Sequence, residues 1–124
     1  TPLEGLDSLE RLSVFNTSVK DFSPLAKCIR LKDLDAGDTL AQTPIAFAAS
    51  KNLTHLNLYK LQLDTLAGIE SLQNLEFIEI SDVADYDLSP LLSLKKLKTV
   101  KLSEKLRQAA GAIANSAQFE IVYH

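Results

Sequence analysis

Five leucines, Leu9, Leu31, Leu53, Leu75 and Leu97, recur at a constant interval of 22 residues. A period of that length constrains a chain strongly. One unit is too small to bury its own apolar face, so successive units must stack and share a continuous core. The clearest copy is residues 52–66, NLTHLNLYKLQLDTL, in which Leu53, Leu56 and Leu58 occupy positions 1, 4 and 6, with Leu63 and Leu66 following after a bend. The alternation of Leu56 and Leu58 with polar residues is the period-2 signal of a short, half-buried strand.

Equivalent positions line up as rows. Leu12, Leu34, Leu56, Ile78 and Val100 form one apolar row, and Val14, Ala36, Leu58, Ile80 and Leu102 another. Strands at the same phase of successive turns must run parallel. Three segments in register, Thr1-Pro2-Leu3, Ser23-Pro24-Leu25 and Ser89-Pro90-Leu91, read as return turns. In each the hydroxyl residue can cap a helical turn and the proline fixes φ at its first position. The second unit is irregular, with Ala41 and Thr43-Pro44 leading into an alanine-rich helical turn over 45–50. In the fourth, Val83, Tyr86 and Leu88 are expected to point inward. From Ser103 the spacing of Leu106, Ala109, Ala110, Ile113 and Ala117 predicts a helix capped by Ser103. Phe119, 22 beyond Leu97, then opens a final strand through Tyr123. The domain reading is a single unit over 1–124: a partial repeat at 1–8, full repeats at 9–30, 31–52, 53–74 and 75–96, and a closing unit at 97–124.

Composition removes several function classes. Thirteen Lys and Arg stand against 16 Asp and Glu, a net charge of −3, so there is no basic field for nucleic acid. The single Cys28 allows neither an intrachain disulfide nor a cysteine-rich metal site, and it falls in an inward row with Leu6, Leu72 and Leu94. No apolar run approaches the length of a membrane span, so insertion in a bilayer is not expected. The lack of methionine and the start in mid-unit point to a piece of a longer chain. The cysteine usage fits the cytoplasm, with a secreted or cell-surface location as the alternative.

The spacing resembles the leucine-rich repeat proteins, whose pattern is L-x-x-L-x-L-x-x-N-x-L. The 22-residue length and the return V-x-D-F-S-P-L-A of Val19 to Ala26 are similar to the subclass of bacterial internalins and eukaryotic phosphatase-regulator repeats. The resemblance implies an α/β fold: a right-handed leucine-rich repeat solenoid with a parallel concave sheet, short helical or irregular convex turns and a C-terminal helix-strand closing unit. It also implies a binding surface. The family's bend asparagine is replaced by Thr17, Thr39, Leu61, Val83 and Lys105, so the third and fourth bends must satisfy their backbone groups by other means.

Residues between the inward leucines face the concave side. Phe15, Tyr59 and Phe77 are aromatic there, surrounded by charge, and His55 is the one internal histidine. No nucleophile-histidine-acid set, glycine-rich phosphate loop or dense D-x-D-x-D-G loop accompanies them, so no catalytic residue, cofactor or metal is expected. The chain is read as a non-enzymatic protein-interaction module whose contacts are Arg11, Phe15, Asp35, His55, Tyr59, Phe77 and Glu79. Asp33, Asp35, Asp38, Glu79 and Asp82 favour a basic segment on the partner. Two alternatives stand beside it: the sensor or targeting arm of a larger enzyme, such as a nucleotide-dependent switch or a secreted effector, and a self-assembly element pairing end to end at its N-terminal face.

Overall fold

A computed structural model describes residues 10–13, 30–37 and 51–123. Phe15, Cys28, the turns at Thr1-Pro2 and Ser23-Pro24, the 45–50 helical turn and the bend residues Thr17 and Thr39 lie outside the described residues. Six strands form one sheet in sequence order: β1 (Arg11–Ser13), β2 (Asp33–Asp35), β3 (His55–Leu63), β4 (Phe77–Val83), β5 (Thr99–Leu102) and β6 (Glu120–Tyr123). Every neighbouring pair is parallel. Leu12, Leu34, Leu56, Ile78 and Val100 pair in succession, each 22 residues from the last, as the period predicts.

The apolar rows form a single core. Leu34, Leu56, Ile78 and Val100 are each 0% exposed, as are Leu58, Ile80 and Leu102 beside them. Each buried leucine or isoleucine contributes roughly 1.5–3 kcal/mol by leaving water, and it does so only because the next turn covers it. The return side is short. One 3-10 turn spans Ile69–Ser71 and another Ser89–Ser93, burying Ile69 and Leu91 respectively. Pro90 sits in the first turn of the second, as expected, but Ser89 is not its cap. Asp87 instead accepts the Ser89 amide through Oδ1 at 3.0 Å.

Four expectations need correction. The third and fourth bends do not align Leu61 with Val83. β3 carries a bulge after Leu58, and pairing resumes at Gln62 with Asp82 and Leu63 with Val83. The two residues gained in β3 are returned in the next segment: two residues separate Leu63 from Leu66, four separate Val83 from Leu88, and all four of these side chains are buried. The period thus survives while the local register slips. Secondly, Tyr86 points outward at 55% exposure, with φ 53°, on a turn closed by its amide donating to the Val83 carbonyl at 3.0 Å. Thirdly, the predicted helix from Ser103 is a 3-10 turn (Glu104–Leu106) followed by one short helix, α1 (Arg107–Gly111). Turns follow to Ser116. Gly111 and the small residues after it supply too little apolar surface to hold further helical turns against the core. Ser103 does not cap; its hydroxyl donates to the Ser81 carbonyl at 2.5 Å. Finally, β6 pairs Thr99 with Glu120 and Val100 with Ile121, an offset of 21, so Phe119 does not align with Leu97.

Candidate functional site

Because side chains alternate along a strand, the residues between buried positions share the open face of the sheet. Its first row is Arg11, Asp33, His55, Phe77, Thr99 and Glu120, and its second Ser13, Asp35, Asn57, Glu79, Lys101 and Val122. At the centre His55 and Phe77 stack, their ring centroids 5.9 Å apart and their planes inclined by 24°. Stacking leaves Phe77 half-buried while His55 remains exposed.

The Thr54 hydroxyl lies 3.1 Å from the Lys32 carbonyl, and its oxygen lies 3.0 Å from His55 Nδ1, so the ring is tied to its neighbour in the chain. The middle of the face combines an aromatic platform with a polar imidazole edge, flanked by Asp33 on β2 and by Glu79 two residues along β4.

The expected contact residues do not all act alike. Arg11, His55 and Phe77 fall in one row, and Asp35 and Glu79 in the next. Asp35 also has a local task, since its Oδ1 accepts the Gly37 amide at 3.2 Å, just as Asn57 Oδ1 accepts the Tyr59 amide at 2.8 Å one strand away. The first of these side-chain-to-backbone bonds lies at the end of β2 and the second inside β3, where regular pairing stops at Leu58. Tyr59 belongs to the β3 bulge rather than to a regular rung. Beside it Lys60 adopts φ 61°, the left-handed region, with its amide donating to Ser81 Oγ at 2.8 Å.

That bulge opens a groove of about 690 Å³ lined by Tyr59, Lys60, Gln62, Ser81, Asp82 and Lys105, among others. Lys105 pairs with Asp82 Oδ2 at 3.1 Å, while Asp82 Oδ1 is buried with no hydrogen-bond donor among the described residues. The repeat period predicts Lys60 opposite Asp82, so the groove is hidden from any reading that keeps the register constant. The signal available in the sequence is the short return from Leu63 to Leu66 beside the longer one from Val83 to Leu88.

At the strand entrances, successive turns are stitched together by side chains. Asn74 Nδ2 donates to the Lys51 carbonyl at 2.9 Å, and Lys96 Nζ donates to Asn74 Oδ1 at 2.8 Å. Ion pairs join Lys32 to Glu10 at 3.8 Å and Lys98 to Glu76 at 3.2 Å. All four of these charged groups are well solvated, so the pairs contribute little to stability. Among the described residues no three metal-ligating side chains converge, and no helix is long and apolar enough to cross a membrane.

No family model matches the chain. Among solved structures, an internalin (inlF) from Listeria monocytogenes str. 4b F2365 superposes with a TM-score of 0.65 at 23% identity, over 98% of this chain. The fold is a leucine-rich repeat solenoid. Its chain spans 38% of the length of that internalin. Internalin C2 (inlC2) of the same organism is 18% identical over 98% of this chain and 84% of its own, with a TM-score of 0.48. In this solenoid the parallel sheet presents the His55-Phe77 stack, and the bulge sets Tyr59 and the Asp82 groove at the strand exits.

Proposed function

We propose that this solenoid is a non-enzymatic protein-interaction module that holds a partner on the open face of its sheet. The observation that carries this reading is the His55-Phe77 stack at the middle of a row that runs from Arg11 to Glu120. Aromatic side chains surrounded by charge offer large contact area at low entropic cost, which is the composition of an interface anchor. Asp33, Asp35 and Glu79 around the stack favour a partner segment with basic residues. Arg11 and Lys101 at the margins restrict where its positive charge can lie. By the repeat spacing of the sequence, Phe15 is expected in the same phase as Tyr59.

The test is selection of peptides from a displayed random library on the immobilised chain, followed by retesting on a His55→Ala/Phe77→Ala double variant. Peptides enriched in Lys or Arg that bind the wild-type chain and lose binding to the variant, at unchanged melting temperature, support the reading. Selected peptides that bind both chains equally contradict it, and so does a large loss of stability, which would make the rings part of the core.

A further inference from the structure

We propose that the groove beside the β3 bulge captures the guanidinium of an arginine on a protein partner. In this account Asp82 is the receiving carboxylate, and Lys105 is a built-in competitor that the arginine displaces. The proposal rests on the interaction reading above only for the partner being a protein; the site is separate from the sheet-face stack.

Three observations converge on the groove. The first is the bulge itself. Three β3 residues, Tyr59, Lys60 and Leu61, stand against Ser81 alone between the paired stretches of β3 and β4, and Lys60 takes a left-handed conformation that costs an L-residue roughly 1–2 kcal/mol. Bulges of this kind re-aim side chains, and here the bulge places Tyr59 on the groove wall. The second is Asp82, whose side chain is only 15% exposed. Its Oδ2 accepts from Lys105, while Oδ1 is buried with no donor among the described residues. A buried carboxylate oxygen left unpaired is costly, so the site is incomplete with lysine alone. The third is the asymmetry of that ion pair: the Lys105 side chain is 55% exposed and loses little by returning to water.

The chemistry of the unmet acceptor selects the ligand. An ammonium offers a point charge, whereas a guanidinium offers a planar fork whose two N–H groups can serve both oxygens of one carboxylate. Exchange of Lys105 for an arginine therefore keeps the charge pairing and supplies the missing donor. Tyr59 on the same wall presents a ring to which a cation is attracted; Lys60 Nζ occupies that role weakly now, 5.9 Å from the centroid. An acidic ligand fits worse. It would draw Lys105 away and leave Asp82 buried with its charge unbalanced.

The test is a nuclear magnetic resonance titration of the chain with Nα-acetyl-arginine amide, its lysine counterpart, its citrulline counterpart and Nα-acetyl-aspartate amide, at constant ionic strength. Saturable shifts at the amides of Tyr59, Lys60, Ser81 and Ser103 are expected with the arginine probe, weaker ones with lysine, and none with citrulline or aspartate. Lys105→Ala removes the competitor and should tighten arginine binding about two-fold or more, because the half-exposed lysine no longer has to be displaced from the carboxylate. Asp82→Asn should abolish it. Phe77→Ala should leave it unchanged, which keeps this site distinguishable from the sheet face. Weaker or unaltered binding in Lys105→Ala, retained binding in Asp82→Asn, absence of saturation, or a preference for the aspartate probe would each overturn the proposal.

Discussion

Arg107 is held from two sides. Its Nε and second terminal nitrogen donate to the two Glu104 oxygens at 2.7 and 2.8 Å, and its guanidinium lies 3.9 Å from the centre of the Tyr123 ring. One side chain on α1 thereby reaches the last residue of β6, the strand at the sheet's edge. The Glu104 carboxyl is held below its ordinary value of 4.5, chiefly by the Arg107 hydrogen bonds, against a smaller opposing effect of burial. A depressed carboxylate contributes stability that is fully present above its unfolded pKa and is lost as pH falls through its folded one. Glu104→Gln is therefore expected to lower the melting temperature at neutral pH, with the difference from wild type shrinking as the pH is taken below 4.5. A difference that stays constant across that range would show that the ion pair does not act on stability. Arg107→Ala should also speed amide exchange in β6 more than in β4, because it removes the ring contact as well as the ion pair.

At the scale of the element, β3 is the instructive strand. Its first half obeys the pattern, with His55, Leu56, Asn57 and Leu58 each pairing 22 residues ahead. Its second half does not, because Asn57 folds back on the Tyr59 amide and Ser81 captures the Lys60 amide. Lys60→Gly should stabilise the chain by about 0.5–1 kcal/mol, since glycine adopts a positive φ without steric cost while paying some entropy. Denaturant unfolding measures this, and a destabilised variant would mean that the left-handed bulge is not the native conformation. The apolar rows, the parallel pairing and the His55-Phe77 row were legible in the sequence because spacing alone determines them. The bulge, the outward turn of Tyr86 and the 21-residue offset of β6 were not. Each depends on local hydrogen bonds, or on compensating insertions and deletions, that a fixed period averages away. The helix after Ser103 failed for a related reason: alanine spacing satisfies a helical period without providing enough apolar surface to hold it.

Over the whole molecule, stability is a sum of contacts between neighbouring turns. A break in one row should be felt mainly by the turns on either side. Leu56→Ala, in the middle of a fully buried row, is expected to cost roughly 2–5 kcal/mol. Amide exchange should rise in β2, β3 and β4 before β6; a uniform increase across the chain would indicate a single cooperative unit instead. Both candidate contact surfaces derive from this stacking. The regular rows leave an open face with aromatic and charged residues at its centre, and the bulge in β3 opens the Asp82 groove. The most direct test of the stacking is the pattern of methyl nuclear Overhauser contacts in a leucine-, isoleucine- and valine-labelled sample. Contacts linking Leu34 to Leu56, Leu56 to Ile78, Ile78 to Val100 and Val100 to Ile121, without the close cross-strand Hα–Hα contacts of antiparallel pairs, are the predicted result. Missing links in that series, or strong Hα–Hα contacts between β3 and β4, would contradict the parallel solenoid and the surfaces built on it.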